Sequence, residues 1–270
     1  MTVYKGKINA RQFPTLLNTI LASEGYTEIS SDKSTDGFVY KSMGESGADE
    51  FYVRILDPKS NYLTVSIAEK YKPNAVAGLA GVFTNYYDTG CITWNNSIGI
   101  DRLEVQYVIN VNKDRIIVFV SGNPAEANYC KSLTYIGLPK RYDPNDKGAG
   151  FAGITGTTRM PWNYEQNWVA LRNRALSIQV NYPTAAYMPS KAVGWNNQLF
   201  FSPIIIGSSA EGPRGELDGL YQIKSIDENI EILHGDTFTQ GGKTYMIIEV
   251  NPVYNSTETL SQAYDYVIEV

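Results

Sequence analysis

The sequence predicts an α+β, β-rich fold: an N-terminal helix plus an antiparallel meander, followed by a mainly antiparallel β domain. Short alternating apolar segments separated by turn residues recur along most of the chain. The clearest helical periodicity is confined to one segment near the N-terminus. Tyrosine is abundant, with 20 residues in a chain of 270. It suits half-buried strands and protein interfaces, because its ring packs while its hydroxyl stays wet.

The helix spans Ala10 to Glu24. Phe13, Leu16, Leu17, Ile20 and Leu21 fall on one helical face, Pro14 fits the first turn, and Gly25 is a natural stop. A meander follows, with strands at 37–41, 50–56 and 62–68 and a turn at Asp57-Pro58-Lys59-Ser60-Asn61. From Ala75 to Gly99 the pattern fits a short helix or an ordered loop. A second hairpin pairs 103–109 with 115–120 around Asn112-Lys113-Asp114, a short helix opens at 124–128, and a strand runs from Ser132 to Ile136. Residues 137–168 are rich in Gly, Pro, Asp, Asn and Thr and read as a long loop and contact arm, because structureless stretches of that length are unusual inside a domain. The expected division is therefore 1–136, an α+β domain, 137–168, the arm, and 169–270, a β-rich domain. Strands in the last part are expected near 174–180, 199–206, 220–226, 244–250 and 263–270, with Gln240-Gly241-Gly242-Lys243 as a tight turn.

Composition narrows the function. With 23 Lys+Arg against 28 Asp+Glu, the chain lacks the basic excess of a protein that tracks phosphates, so no specific nucleic-acid partner is expected. The N-terminal Met1-Thr2-Val3-Tyr4-Lys5 lacks a signal-peptide pattern, and no apolar run approaches the roughly 20 residues that span a bilayer, so no membrane association is expected. Cys91 and Cys130 show neither CxxC spacing nor a nearby histidine, which argues against a metal site and favours two reduced thiols.

Each candidate for chemistry fails on its flanks. Gly148-Ala149-Gly150-Phe151-Ala152-Gly153 matches GxGxxG, but neither a preceding strand nor a following helix is expected around it. Gly235-Asp236 to Lys243-Thr244 resembles a phosphate-binding loop, yet Thr237 stands where a glycine is required and Tyr245-Met246-Ile247-Ile248 continues as a strand. His234 is the one histidine in the chain. It lies beside a turn with no GxSxG elbow, and hydrogen bonding to that turn is its ordinary role. No catalytic, cofactor-binding or metal-binding residue is assigned. The tryptophans, with Tyr86 and Tyr87, fit core and interface packing, and the alternative is a sugar-stacking surface.

Leu133-Thr134-Tyr135-Ile136-Gly137, Phe151-Ala152-Gly153-Ile154-Thr155-Gly156, Glu211-Gly212-Pro213-Arg214-Gly215-Glu216-Leu217-Asp218-Gly219-Leu220-Tyr221 and the Gly235 to Ile248 hairpin carry a resemblance. They are similar to structural virion proteins of the tail and neck region in phages and prophages of Gram-positive bacteria. The first half loosely resembles tail-terminator and tail-completion proteins, which form hexameric rings. The resemblance implies a non-catalytic subunit, made in the bacterial host cytoplasm and built into the virion. It would form a ring or cap with copies of itself and with neighbouring tail or neck proteins. The alternative is a receptor- or glycan-binding module of a tail or baseplate. Protein-contact residues expected on this reading are Asp146, Phe151, Met160, Trp162, Trp168, Arg214, Tyr86 and Tyr87.

Overall fold

The structure, a computed structural model, describes residues 1–30, 33–56, 62–76, 78–93, 100–122, 131–143, 151–157, 167–170, 178–180, 201–208, 212–224, 234–249 and 264–270. The chain opens with β1 (Thr2–Asn9), a 3-10 turn (Ala10–Gln12), α1 (Phe13–Ser23), β2 (Thr27–Glu28) and α2 (Lys33–Asp36). Next come β3 (Phe38–Ser42), β4 (Phe51–Ile55), β5 (Tyr62–Lys72) and β6 (Val82–Thr93). The middle of the chain supplies β7 (Glu104–Val111), β8 (Arg115–Ser121), β9 (Lys131–Gly137), β10 (Lys140–Arg141), β11 (Phe151–Thr157) and β12 (Asn167–Ala170). The last part gives β13 (Ile178–Val180), β14 (Ser202–Ser208), β15 (Gly212–Lys224), β16 (Thr237–Gln240), β17 (Lys243–Glu249) and β18 (Tyr264–Glu269). The fold is β-rich α+β, as the sequence predicts.

Among the described residues the strands form three antiparallel sheets. The central sheet has the order β1-β7-β8-β9-β11-β12, the N-terminal sheet β2-β3-β4-β5-β6, and the C-terminal sheet β13-β14-β15-β18-β17-β16 with β10 beside β15. Strand β8 shows why the central sheet lies in the middle. All of Arg115–Ser121 is buried, so its sequence is a continuous apolar run rather than an alternation. One face of the sheet presents Val105, Ile109, Val111, Ile116, Val118, Val120 and Ile136 to α1 and the N-terminal sheet. The other presents Val108, Ile117, Phe119, Leu133 and Tyr135 to Ile204, Leu217, Leu220, Met246, Ile248 and Ile268 of the C-terminal sheet. The molecule is thus layered, with two apolar cores on opposite faces of one sheet.

Helix α1 buries Phe13, Pro14, Leu17, Ile20 and Leu21 in the first core. Asn9 accepts the Arg11 N–H at 3.0 Å to start the preceding turn, and Gly25, at φ 84°, ends the helix. The N-terminal sheet turns Tyr40, Phe51, Val53, Ile55, Leu63, Val65 and Ile67 inward. A bulge between Thr64 and Val65 bends its longest hairpin, β5–β6. The far end of that hairpin folds back over the outer face. Its Tyr71 hydroxyl and Gly81 amide both reach the Asp36 carboxylate, and Phe83 lies under the Arg54 guanidinium.

Two expectations meet a different structure. Of the 75–99 stretch, expected as a short helix or an ordered loop, the described residues give the hairpin end and strand β6, because its apolar residues pair across to β5 in register, Tyr71 opposite Phe83 and Lys72 opposite Val82. The 137–168 segment, expected as a long loop and arm, contributes β10, β11 and the start of β12. Strand β11 pairs β9 from Phe151↔Gly137 to Thr157↔Lys131, so the central sheet continues straight across the division expected at residue 137. Its glycines and threonines, read as loop residues, sit in a ladder whose backbone bonds do not depend on side-chain bulk. The short helix expected at 124–128 lies outside the described residues.

Ser132 and Thr134 alternate with Leu133 and Tyr135, so they face the first core. Both hydroxyls are buried there without a hydrogen-bond partner. An unpaired buried hydroxyl costs on the order of 1–3 kcal/mol. Thr134→Val keeps the shape and removes the polar atom. It is expected to leave Tm unchanged or raise it, equivalent to about 1 kcal/mol of stability. A clear drop in Tm on thermal melting would show that the hydroxyl has a partner after all.

Candidate functional site

The described polar groups concentrate where the three sheets meet, at the tight turn Asn112–Arg115 between β7 and β8. Asn112 Oδ1 accepts the Asp114 and Arg115 backbone N–H groups, each at 2.9 Å, and the Asn112 backbone N–H donates to Arg115 O at 3.0 Å. The turn reaches the N-terminal sheet in two places. Ser42 Oγ donates to Lys113 O at 2.5 Å, and the Glu45 amide donates to Asp114 Oδ1 at 2.7 Å. Tyr26 closes this side by donating its hydroxyl to Asn112 O at 2.8 Å.

On the opposite side Arg115 enters the core facing the C-terminal sheet, with its side chain 1% exposed. Its Nη1 donates to Asn110 Oδ1 at 2.6 Å and its Nε to Asp218 Oδ2 at 3.1 Å, while Nη2 lies 3.5 Å from Met1 Sδ. Asn110 in turn donates to the Glu269 carbonyl, and the Glu269 carboxylate takes Lys243 Nζ at 2.8 Å. One guanidinium therefore ties together β7, β8, β15 and, through Asn110, β18. A buried Arg needs partners for its donors, and here a carboxylate oxygen takes one of its five N–H groups, an amide oxygen a second and the Met1 sulfur a third.

Glycines make room for this arrangement. Gly137 has φ 138° and lies so close to the turn that a Cβ there would overlap Asp114 O. Gly219 has φ 71°, and its Cβ would overlap Arg115 Nη2. Both positions combine a backbone that favours glycine with a space that no side chain can share. Nearby, Tyr135 donates its buried hydroxyl to Leu138 O at 2.7 Å, and burial holds its ionisation far above the usual tyrosine range. Asp114 is half-buried. Burial, reinforced by the negative charges of Glu45, Asp218 and Asp49, pushes its pKa up despite the Glu45 amide bond.

The chemistry of this cluster is that of a fastener. Its polar atoms bond one another across layers and converge on no common point where a substrate atom could sit. Among the described residues there is no group of three or more His, Cys, Asp and Glu that could hold a metal ion, and no helix long and apolar enough to cross a membrane. His234 is exposed and packs its ring against Phe119, centroids 5.0 Å apart. The segment resembling a phosphate loop forms the β16–β17 hairpin, with Gly241 and Gly242 at φ 60° and 78° in its turn. On the outer side of the C-terminal sheet, Phe201, Tyr221, Phe238 and Tyr245 pack ring on ring, with Phe201 4.8 Å from both Tyr221 and Tyr245. Tyr245 itself and Val267 are buried, which makes this a small core apart from the two that flank the central sheet.

Of the expected contact residues, Asp146, Met160 and Trp162 lie outside the described residues. Phe151 starts β11 and Trp168 lies in β12, adjacent strands of the central sheet. Tyr86 and Tyr87 lie on β6, which runs against β11 and β12, so the structure brings these three strands together. Arg214 is on β15, in a different sheet. Arg115, Asn110 and Asp218 were not singled out by sequence. A charged residue opening an apolar strand normally faces water, and only the Asp218-Gly219 pair hints at a close approach. Comparison with protein-family models found no match, and comparisons with curated proteins and with solved structures found none either.

Arg115→Ala leaves the buried Asn110 amide without its partner and the partly exposed Asp218 carboxylate unpaired, and is expected to cost about 1–3 kcal/mol in urea unfolding. The double change Arg115→Met with Asp218→Leu should recover most of that loss. A cost for Arg115→Ala below about 1 kcal/mol would remove the turn from its central place. Asp114 predicts a pH effect. Its raised pKa means that its contribution to stability is fully present below the ordinary value of 3.8 and is lost as pH rises through the folded pKa. Asp114→Asn should therefore match or exceed the wild type in stability at neutral pH, with the difference shrinking toward about pH 4. Thermal melts across that range read it directly.

Proposed function

We propose that this chain is a non-catalytic structural subunit of a bacteriophage particle, forming a ring or cap in the tail or neck region through contacts between copies and with neighbouring virion proteins. One observation supports it most. Two of the segments that resemble phage tail and neck proteins border the meeting point of the three sheets, and a third pairs beside one of them. Leu133–Gly137 is β9 and ends at the glycine pressed on Asp114, and Phe151–Gly156 is the strand paired beside it. Gly212–Tyr221 is most of β15 and carries Asp218 and Gly219 onto Arg115. What the resemblance carries is architecture rather than reactive groups, which suits a protein whose work is to hold shape in an assembly. The open outer edge of β1 and the exposed end of the β5–β6 hairpin give such a subunit surfaces to offer.

The test has two arms. Light scattering on the purified full chain is expected to show a closed homo-oligomer, and gradient-purified particles of the phage or prophage encoding it are expected to contain the protein. A strict monomer that never enters particles would sink the proposal. Hydrolysis of cell-wall glycans by the purified protein would equally count against it.

A further inference from the structure

We propose that the Met1 thioether is a site of reversible oxidation by peroxide, and that its sulfoxide tightens the buried Arg115 network. Met1 is 55% exposed, so a small oxidant has access to it from solvent. Its sulfur nevertheless faces two donors of the protein interior. Asn110 Nδ2 lies 3.3 Å from Met1 Sδ, and Arg115 Nη2 lies 3.5 Å from it. Asn110 is fully buried and Arg115 nearly so.

Both donors meet a poor acceptor on this side. Asn110 gives one N–H to the Glu269 carbonyl and directs its amide nitrogen at the sulfur as well. Arg115 bonds Asn110 Oδ1 through Nη1 and Asp218 Oδ2 through Nε, and its Nη2 meets the sulfur. A thioether accepts hydrogen bonds weakly, whereas a buried guanidinium forms its strongest bonds to oxygen.

Oxidation supplies an oxygen at that place. The Met1 sulfur attacks one oxygen of hydrogen peroxide, an S–O bond forms and the O–O bond breaks. The proton on the transferred oxygen passes to the departing one, which leaves as water. Sulfur loses two electrons and peroxide gains them. The new oxygen sits beside two N–H donors, and the unbranched Met1 side chain has the rotatable bonds to seat it.

The surroundings reverse the usual outcome. Methionine oxidation commonly damages a protein because it strands a polar oxygen among apolar groups. Met246 is placed that way, 8% exposed in the core that contains Ile117, Leu220 and Ile268. Met1 alone of the two meets polar hydrogen on its inner side. Its sulfoxide is also reducible by methionine sulfoxide reductases, so the change is a switch and not only a lesion.

The experiment is graded peroxide treatment of the purified full chain, with intact mass, peptide mapping and thermal melting at each step. Met1 is expected to oxidise roughly tenfold or more faster than Met246. Its oxidation should raise Tm by about 2–4 °C, and treatment with sulfoxide reductase and thiol should reverse the rise. Met1→Gln and Met1→Leu are made with a glycine left ahead of residue 1 by a cleaved leader, beside a wild type made the same way. Met1→Gln places an amide oxygen at the site and should show the higher Tm without oxidant. Met1→Leu should show no rise with peroxide, while Met43→Leu should respond as the wild type does. A purified chain that lacks Met1, or a Met1 as slow to oxidise as Met246, overturns the proposal. So does a Tm that stays level or falls on Met1 oxidation. A peroxide-induced rise that persists in Met1→Leu lies at another residue and overturns it too.

Discussion

The Asn112–Arg115 turn is the constraint on which the rest of the described structure depends. Two of its residues face opposite ways. Asp114 holds the connection after β3 through the Glu45 amide, and Arg115 holds β15 through Asp218. A turn that merely reversed the chain would need neither. Because the Arg115 guanidinium and the Asn110 amide are buried, each must find its partner or cost the structure its desolvation energy. The relative placement of the layers is thereby specified more sharply than apolar packing alone would specify it. The same logic accounts for Gly137 and Gly219, where any side chain would occupy the space of the turn.

The central sheet follows from this. A sheet covered on both faces cannot alternate apolar and polar residues, and β8 does not. Polar residues that do enter it are either bonded, as Asn110 is, or left unpaired, as Ser132 and Thr134 are. The first kind fixes geometry, whereas the second is a local weakness beside β11. The edge strand β1 carries Lys5 and Lys7 on its exposed surface, a common guard against unwanted strand pairing.

Much of the fold was legible. The helical spacing of Phe13, Leu17, Ile20 and Leu21, the Asn112-Lys113-Asp114 turn and the Gly241-Gly242 hairpin appear where local chemistry puts them. These signals are short-range, and tertiary packing agrees with them. The strand Phe151–Thr157 was hidden because its glycines and threonines carry loop preferences, and pairing with β9 overrides them. Arg115 was hidden for a different reason. Its burial depends on Asp218, 103 residues later, and no window of sequence contains both. The hairpin end was half-legible, since the run of small apolar residues that follows Lys70 and Lys72 suits a short helix or an ordered loop until its pairing is known.

The span between Arg115 and Asp218 has a consequence for the chain as it is made. At roughly 5–20 residues per second, ribosomes need on the order of 5–20 s to deliver the 103 residues that separate them. Throughout that interval the second face of the central sheet, with Ile117, Phe119 and Leu133, has no layer to cover it. Arg115, at the rim of that face, meets its carboxylate partner only when the C-terminal strands arrive.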